Sequence, residues 1–188
     1  MRIVKKILLV LAIIFVVIAA IGYIFFPSHI HVERKAMINQ KQSVVYNYVN
    51  NLGNWNSWSP WYQLDSAAKY SFEGPASGAG ATFSWESQNK DVGKGSMKIT
   101  DAMPDSVIKQ DLNFMEEGTA KSSFRFAPEG NATSVTWAFD VEAGVNPLFR
   151  IMGGFMDGML GKDFEKGLAN LKIKVEAIPV NDSTSVHQ

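Results

Sequence analysis

Between residues 69 and 143 the chain repeats one pattern, in which short segments of alternating apolar and polar residues are separated by turn residues. One segment places Phe83 and Trp85 on the same side, and another does this with Trp137 and Phe139. Alternation with period two is typical of half-buried β-strands, because successive side chains point to opposite faces. Six such segments with short connections predict an antiparallel meander. The segments are KYSFEG, ATFSWESQ, GSMKITDAM, SVIKQDLNFM, KSSFRFA and TSVTWAFDV.

The segments on either side of this meander predict one further strand and several helices. Residues 30–38 alternate like a strand, and QKQSVVYNYVNNLGNW carries apolar residues at helical spacing. A short helical turn is expected over 54–58. It should end there, because Pro60 disfavours helix at the preceding residue, Ser59. A long amphipathic helix is predicted over 147–177. A curved antiparallel sheet that wraps this last helix would bury the apolar faces of both.

Residues 7–26, ILLVLAIIFVVIAAIGYIFF, contain no charged side chain. A helix of this length spans roughly 30 Å, the thickness of the hydrocarbon core of a membrane. The alternative is a cleaved signal peptide, whose apolar region would be shorter, about 7–15 residues, and would end at small residues. Ile18 stands where that cleavage motif needs a small residue, so we expect a retained transmembrane anchor over 7–26.

The basic tail over residues 1–6 favours a cytoplasmic N-terminus and an extracytoplasmic domain. Arg34, Lys35 and Lys41 weaken this signal, because they lie close enough beyond the span for the rule to count them. Without the three basic residues of the tail, the chain carries 15 basic against 18 acidic residues. A slightly acidic body lacks the basic surface that nucleic-acid binding requires, so no nucleic-acid partner is expected.

The pattern divides the chain simply. A linker of only three residues, 27–29, follows the anchor, and one domain is predicted over 30–178. Residues 179–188, PVNDSTSVHQ, are polar and predict a disordered tail.

The order of these elements, with the segments that fill it, resembles the START-like superfamily, also called SRPBCC or polyketide cyclase/dehydrase-like. The resemblance covers roughly residues 30–177. It implies an α+β helix-grip fold (β-α-α-β6-α), here preceded by one transmembrane helix. The matching segments are VERKAMINQKQSVVYNYVNNLGNWNSWSPW, GPASGAGATFSWES, VGKGSMKIT, VTWAFD and GKDFEKGLANLK.

The resemblance also implies that the domain binds a ligand, but it implies no particular reaction. Members usually hold a hydrophobic small molecule or a lipid between the sheet and the long helix. Some are cyclases, dehydratases or hydrolases, and others are lipid carriers or co-chaperones. The chain is similar in particular to bacterial members anchored in the membrane, which implies the bacterial cytoplasmic (inner) membrane.

The candidate pocket residues are the inward positions of the predicted strands, the methionines of the last helix, and the aromatic residues before the meander. They either fill a close-packed core or line a hydrophobic pocket, and both readings stay open. Methionine favours binding, because its flexible side chain adapts to irregular shapes. The candidates are Arg34, Trp55, Trp58, Trp61, Phe83, Trp85, Met97, Ile99, Leu112, Phe114, Phe124, Phe126, Trp137, Phe139, Met152, Met156 and Met159.

The segment WNSWSPW carries three of these candidates. Trp55 and Trp58 can share one side of a helical turn, and Pro60 redirects the chain before Trp61. We expect a lid in which one or two rings seal the core and the remaining ring lines a cavity mouth, and the alternative, in which the rings only seal the core, stays open.

Arg34 is the charged candidate, because alternation puts it on the apolar face of the first strand. A buried arginine must be paired. Its partner is either a ligand carboxylate or phosphate, which it would bind in bidentate fashion, or a structural acidic residue. The remaining alternative is that Arg34 reaches solvent from the end of the strand.

The sequence gives no catalytic motif. His29 and His31 share one strand face, but two histidines with no third ligand nearby make a poor metal site, so neither a metal nor a cofactor is expected. The chain has no cysteine, which excludes a thiol nucleophile. The acidic residues of the strands and of the last helix are expected to face solvent. We therefore favour a binding domain over an enzyme, with a cyclase, dehydratase or hydrolase and a protein-interaction domain as alternatives.

Overall fold

The computed structural model describes residues 2–115 and 118–179, so nearly all of the predicted tail over 179–188 lies outside the described residues. The helices are α1 (Arg2–Phe25), α2 (Gln42–Asn50), α3 (Trp55–Trp58) and α4 (Pro147–Glu176), with a 3-10 turn at Leu52–Asn54 before α3. The strands are β1 (His29–Ile38), β2 (Lys69–Glu73), β3 (Thr82–Glu86), β4 (Lys94–Met103), β5 (Val107–Asn113), β6 (Thr119–Glu129) and β7 (Ala132–Glu142).

All seven strands form one antiparallel sheet in the order β1-β7-β6-β5-β4-β3-β2. Strands β2 to β7 follow one another as the predicted meander, and β1 pairs with β7. A register shift between Ile99 and Asp101 interrupts the pairing of β4 with β5, and irregularities of this kind bend a strand. The structure confirms the predicted α+β helix-grip fold, in which an open curved sheet holds a long C-terminal helix.

The apolar stripe predicted along α4 divides into two halves. In the C-terminal half, Phe164, Leu168 and Leu171 are buried against the sheet. In the N-terminal half, Met152 and Met159 are 64% and 74% exposed. The helix therefore closes the core at one end of the sheet and presents apolar side chains to open space at the other.

Glycines set how closely α4 approaches the sheet. A methyl group at Gly153 would overlap the side chain of Ile30 in β1. A methyl group at Gly167 would lie 2.8 Å from Cζ3 of Trp137 in β7 and 3.2 Å from Cδ of Pro60. Carbon atoms in close-packed interiors stay further apart than this. These positions thus hold α4 against the β1 and β7 side of the sheet, and α4 packs mainly on β1.

Helix α1 is long and apolar enough to cross a membrane, judged by length and composition. It begins at Arg2, before the apolar segment, because the basic residues of the tail are good helix formers. Its C-terminal end contacts the start of α4. The hydroxyl of Tyr23 donates a hydrogen bond to the carbonyl of Val145 at 2.6 Å, and the side chain of Arg150 lies 4.7 Å from the centre of the Tyr23 ring.

Replacement of Gly167 by alanine should destabilise the domain. The added methyl group meets the edge of a rigid, buried ring, and such overpacking costs about 1–3 kcal/mol. Alanine's better helix propensity returns up to about 1 kcal/mol, so we expect a net loss of about 1 kcal/mol in the free energy of unfolding. Gly158→Ala is the matched control, because no atom lies within 4 Å of its added Cβ. It should gain stability, and a gain in both variants by thermal unfolding would contradict the close contact.

Candidate ligand-binding site

A cavity of about 610 Å³ lies between the inner face of β3 to β7 and the N-terminal half of α4. Most of its lining is apolar or aromatic. Twelve of the candidates predicted from the sequence contribute to it: Trp55, Trp61, Phe83, Trp85, Met97, Leu112, Phe114, Trp137, Phe139, Met152, Met156 and Met159.

Four apolar candidates lie in the close-packed core instead of the cavity lining. Trp58, Ile99 and Phe124 are at most 1% exposed, and Phe126 packs edge-on against Tyr46 of α2. Alternation along the strands placed the three strand residues on the correct face of the sheet. At their positions the inner face of the sheet is covered by α2, α3 and the C-terminal half of α4, so these side chains are buried. The cavity lies further along the sheet.

Trp137 of β7 forms the floor at the closed end of the cavity. Its ring stacks on Phe164 of α4 with centroids 3.9 Å apart, and its indole N–H donates a hydrogen bond to Oγ of Ser122 at 3.1 Å. Ring pairs of this kind each contribute about 0.5–1.5 kcal/mol beyond their buried area. The rings of the WNSWSPW segment surround it edge-on, with centroids at 5.7 Å (Trp55), 5.5 Å (Trp58) and 5.9 Å (Trp61).

The three tryptophans of WNSWSPW take different places. Trp58 is 1% exposed and its backbone carbonyl accepts a hydrogen bond from Asn170 of α4, so this ring seals the core. Trp55 is buried and also lines the cavity. Trp61 is half-buried, stacks on Trp55 with centroids 6.4 Å apart, and lines the cavity after Pro60 has turned the chain.

Arg34 does not line the cavity, and this corrects its place among the candidates. Its Nη1 donates to Oδ1 of Asp157 and its Nε to Oε1 of Glu165, both at 2.7 Å. The guanidinium packs on Gly161, where any side chain would overlap it. Arg34 holds the pKa of Asp157 below its usual range by hydrogen bonding to the charged carboxylate. Arg34 therefore forms structural ion pairs that join β1 to α4, and its N–H donors are occupied by these protein partners.

Polar residues on the cavity lining were missed by the sequence interpretation. Asn56 and Ser59 come from the lid, Tyr70 from β2, and Asp163 from α4. The Oδ1 atom of Asn56 is buried and has no hydrogen-bond partner among the described residues. Asp163 was expected to face solvent together with the other acidic residues of the last helix. Only the packing of α4 beside the lid brings it to the cavity.

Two groups on the lining have perturbed acidities. Burial raises the pKa of Asp163, although nearby Lys166 and a hydrogen bond from Trp61 oppose this change. Burial also raises the pKa of Tyr70, whose hydroxyl donates a hydrogen bond to the carbonyl of Asp65 at 2.9 Å. The cavity therefore holds a carboxyl group that favours its neutral form more than a solvated aspartate does.

The sequence from β1 to the end of α4 matches a known family. The model of the family described as polyketide cyclase / dehydrase and lipid transport matches residues 29–176. The chain belongs to this family. Its membership confirms the resemblance to the START-like superfamily. No curated protein matches the sequence.

Solved structures with a similar fold cover 79% of this chain. An uncharacterised protein from Rhizobium leguminosarum is 15% identical, with a TM-score of 0.57 over 79% of this chain and 95% of its own. The Aha1 dimer from Colwellia psychrerythraea is 16% identical, with a TM-score of 0.57 over 79% and 97%. The di-domain ARO/CYC StfQ of the steffimycin biosynthetic pathway is 11% identical, with a TM-score of 0.61 over 79% of this chain and 51% of its own. At these identities the likeness shows a shared fold.

Alanine at Trp58 and alanine at Trp61 should separate sealing from lining. Loss of the fully buried Trp58 ring should cost about 3–5 kcal/mol of stability. Loss of the half-buried Trp61 ring should cost less than half of that, because it leaves no enclosed void. Thermal unfolding of the two variants measures the difference, and equal losses would contradict these roles.

Proposed function

We propose that this domain binds a lipid or another hydrophobic small molecule in the cavity between the sheet and α4. The observation that carries the proposal is the cavity itself, with a volume of about 610 Å³ and a largely apolar lining. Known small-molecule sites occupy roughly 300–1,000 Å³ and combine an apolar lining with few polar groups. Family membership supports the same conclusion, since the family description includes lipid transport.

Burial of apolar surface would supply the affinity. Each Å² of apolar ligand surface removed from water contributes roughly 25 cal/mol. Met152, Met156 and Met159 form the α4 side of the cavity, and methionine side chains adapt to ligands of varied shape. The polar side chains of Tyr70 and Asp163 on the lining offer hydrogen-bonding groups to a ligand. An amphipathic ligand with a hydrogen-bonding group at one end fits this lining.

The contact of α1 with α4 supports a membrane lipid as the ligand. We propose that α1 is a retained transmembrane anchor. Its end is joined to the first turn of α4 through Tyr23, Val145 and Arg150, so the N-terminal half of α4 would lie at the membrane surface. Large apolar side chains there are exposed, including Leu148 at 56% and Phe155 at 65%. The cavity mouth would then open beside the headgroups.

We further propose an orientation, which the basic residues at the start of α1 support. Its basic N-terminal tail favours the cytoplasm, which would place the domain on the extracytoplasmic side of a bacterial inner membrane. The exposed apolar side chains of α4 also fit the alternative of a protein-interaction surface. Their position next to the end of α1 favours a membrane as the surface that they contact.

An enzymatic role is the second candidate, and Asp163 is the observation that favours it. Burial raises the pKa of its carboxyl group on the cavity wall, which is the property that a general acid in a cyclase or dehydratase needs. Mass spectrometry of ligands bound to the Asp163→Asn variant and to the unchanged protein tests this role. Bound species that differ by the mass of a reaction such as dehydration would support catalysis, and identical species would argue for binding alone.

A bulky side chain inside the cavity should weaken ligand binding. Met156→Trp adds an indole ring to the lining, whereas Met103→Trp makes the same change at a residue that is 45% exposed and outside the lining. Titration with a dansyl-labelled fatty acid should show affinity lower by at least about tenfold for Met156→Trp, equivalent to roughly 1.4 kcal/mol. Met103→Trp should bind like the unchanged protein. Equal affinity in all three would contradict binding in this cavity.

Membrane attachment should depend on α1. After cell fractionation and an alkaline carbonate wash, the full chain should stay in the membrane pellet, since only detergent releases a spanning helix. A chain that starts at residue 29 should appear in the soluble fraction. Release of the full chain by carbonate, or a shortened N-terminus by mass spectrometry, would contradict a retained anchor.

A further inference from the structure

The outer face of the sheet carries a cluster of histidine and acidic side chains next to the end of α1. In the register of β1 and β7, His29 stands opposite Glu142 and His31 stands opposite Asp140. The intervening Ile30 is buried against the core. Because side chains alternate between faces, all four polar groups project from the side of the sheet that faces away from the cavity.

Asp140 lies between the two imidazole rings. Its Oδ1 atom is 3.1 Å from Nε2 of His29 and 2.7 Å from Nδ1 of His31. One ligand atom from each of these three residues lies within 4.8 Å of the others. Ligand atoms around a tetrahedral zinc ion are about 3.4 Å apart, given bonds of roughly 2.0–2.2 Å. Small rotations of these half-exposed side chains would bring all three to one ion.

The remaining nitrogen of each ring faces a second carboxylate. His29 Nδ1 is 2.9 Å from Oε1 of Glu142, and His31 Nε2 is 3.7 Å from Oε2 of Glu33. Glu33 is itself held by an ion pair with Arg125. Histidines that bind metals commonly donate their second N–H to a carboxylate, which fixes the ring and its tautomer. The same pattern here turns His29 Nε2 and His31 Nδ1 towards Asp140.

We propose that His29, His31 and Asp140 bind a divalent transition metal ion of the zinc type. Two imidazoles and one carboxylate suit zinc and its neighbours, whereas magnesium prefers oxygen ligands. The three side chains are 52%, 45% and 34% exposed, which leaves an entry path and a coordination position for water or another ligand. This inference is independent of the cavity and its ligand.

Two histidines without a third ligand nearby in the sequence predicted no metal site. The third ligand, Asp140, comes from β7, 109 residues along the chain from His31. Its alternation pattern correctly predicts that it faces solvent, but the register that sets it beside the histidines requires the pairing of β1 with β7. A bound ion would join these two strands directly after α1.

Isothermal titration of the full chain in detergent with Zn²⁺ alone tests the proposal, after removal of any affinity tag. We expect one zinc ion per chain, and an affinity lower by at least about tenfold in His29→Ala, His31→Ala and Asp140→Asn. His187→Ala is the matched control, since it removes the remaining histidine of the sequence, and it should bind as the unchanged protein does. Mg²⁺ should give no saturable heat.

Cobalt substitution adds a readout that does not depend on stability. Co²⁺ bound by the cluster should give visible absorption bands that disappear in His31→Ala. Thermal unfolding without metal should show that the three variants remain folded, because their side chains are half-exposed. Absence of saturable zinc binding, or equal zinc affinity in the His29→Ala/His31→Ala double variant, would overturn the proposal.

Discussion

The close contact of α4 with one side of the sheet determines where the domain has a close-packed core and where it has a cavity. Glycine at position 153 lets the helix backbone reach Ile30, and glycine at 167 lets it reach the ring of Trp137. Glycine costs up to about 1 kcal/mol in a helix relative to alanine, so these positions are unfavourable for the helix alone. They are compensated by packing, above all by the stacking of Trp137 on Phe164.

The cavity is the consequence of this placement. Because α4 lies along β1, its methionines project over the inner face of the strands beyond, where Phe83 and Leu112 form the opposite wall. The lid closes the end of the space near Trp58, and the N-terminal half of α4 leaves the other end accessible. One helix therefore serves both as the centre of the core and as the wall of the site. The C-terminal end of α1 also contacts the start of this helix, so the cavity mouth lies next to α1.

Much of the fold could be predicted because local sequence patterns express it directly. The six alternating segments became β2 to β7, and the helix predicted over 147–177 spans Pro147–Glu176. The site was harder to predict, because alternation identifies a face and says nothing about depth. Ile108 and Leu112 share one face of β5, yet Leu112 is partly exposed and lines the cavity, whereas Ile108 is fully buried in the core.

The remaining differences come from contacts between distant segments. Arg34 was placed on the correct side of β1, but its partners Asp157 and Glu165 depend on how α4 is rotated above the strand. Asp163 reaches the cavity for the same reason. Neither the rotation of a helix nor the register of β1 on β7 is expressed in local periodicity.

Native mass spectrometry of residues 29–188 can show whether the cavity holds an apolar ligand. Solved structures align over 95% and 97% of their own lengths with a share of this chain that corresponds in length to residues 29–176. This part should therefore fold without α1 and need no detergent. The fragment, purified from cells, should carry a bound lipid or similar apolar molecule, and added lipid extract should raise its unfolding temperature. A spectrum of the unliganded protein, together with an unfolding temperature that lipid extract leaves unchanged, would show that this cavity is not a ligand-binding site.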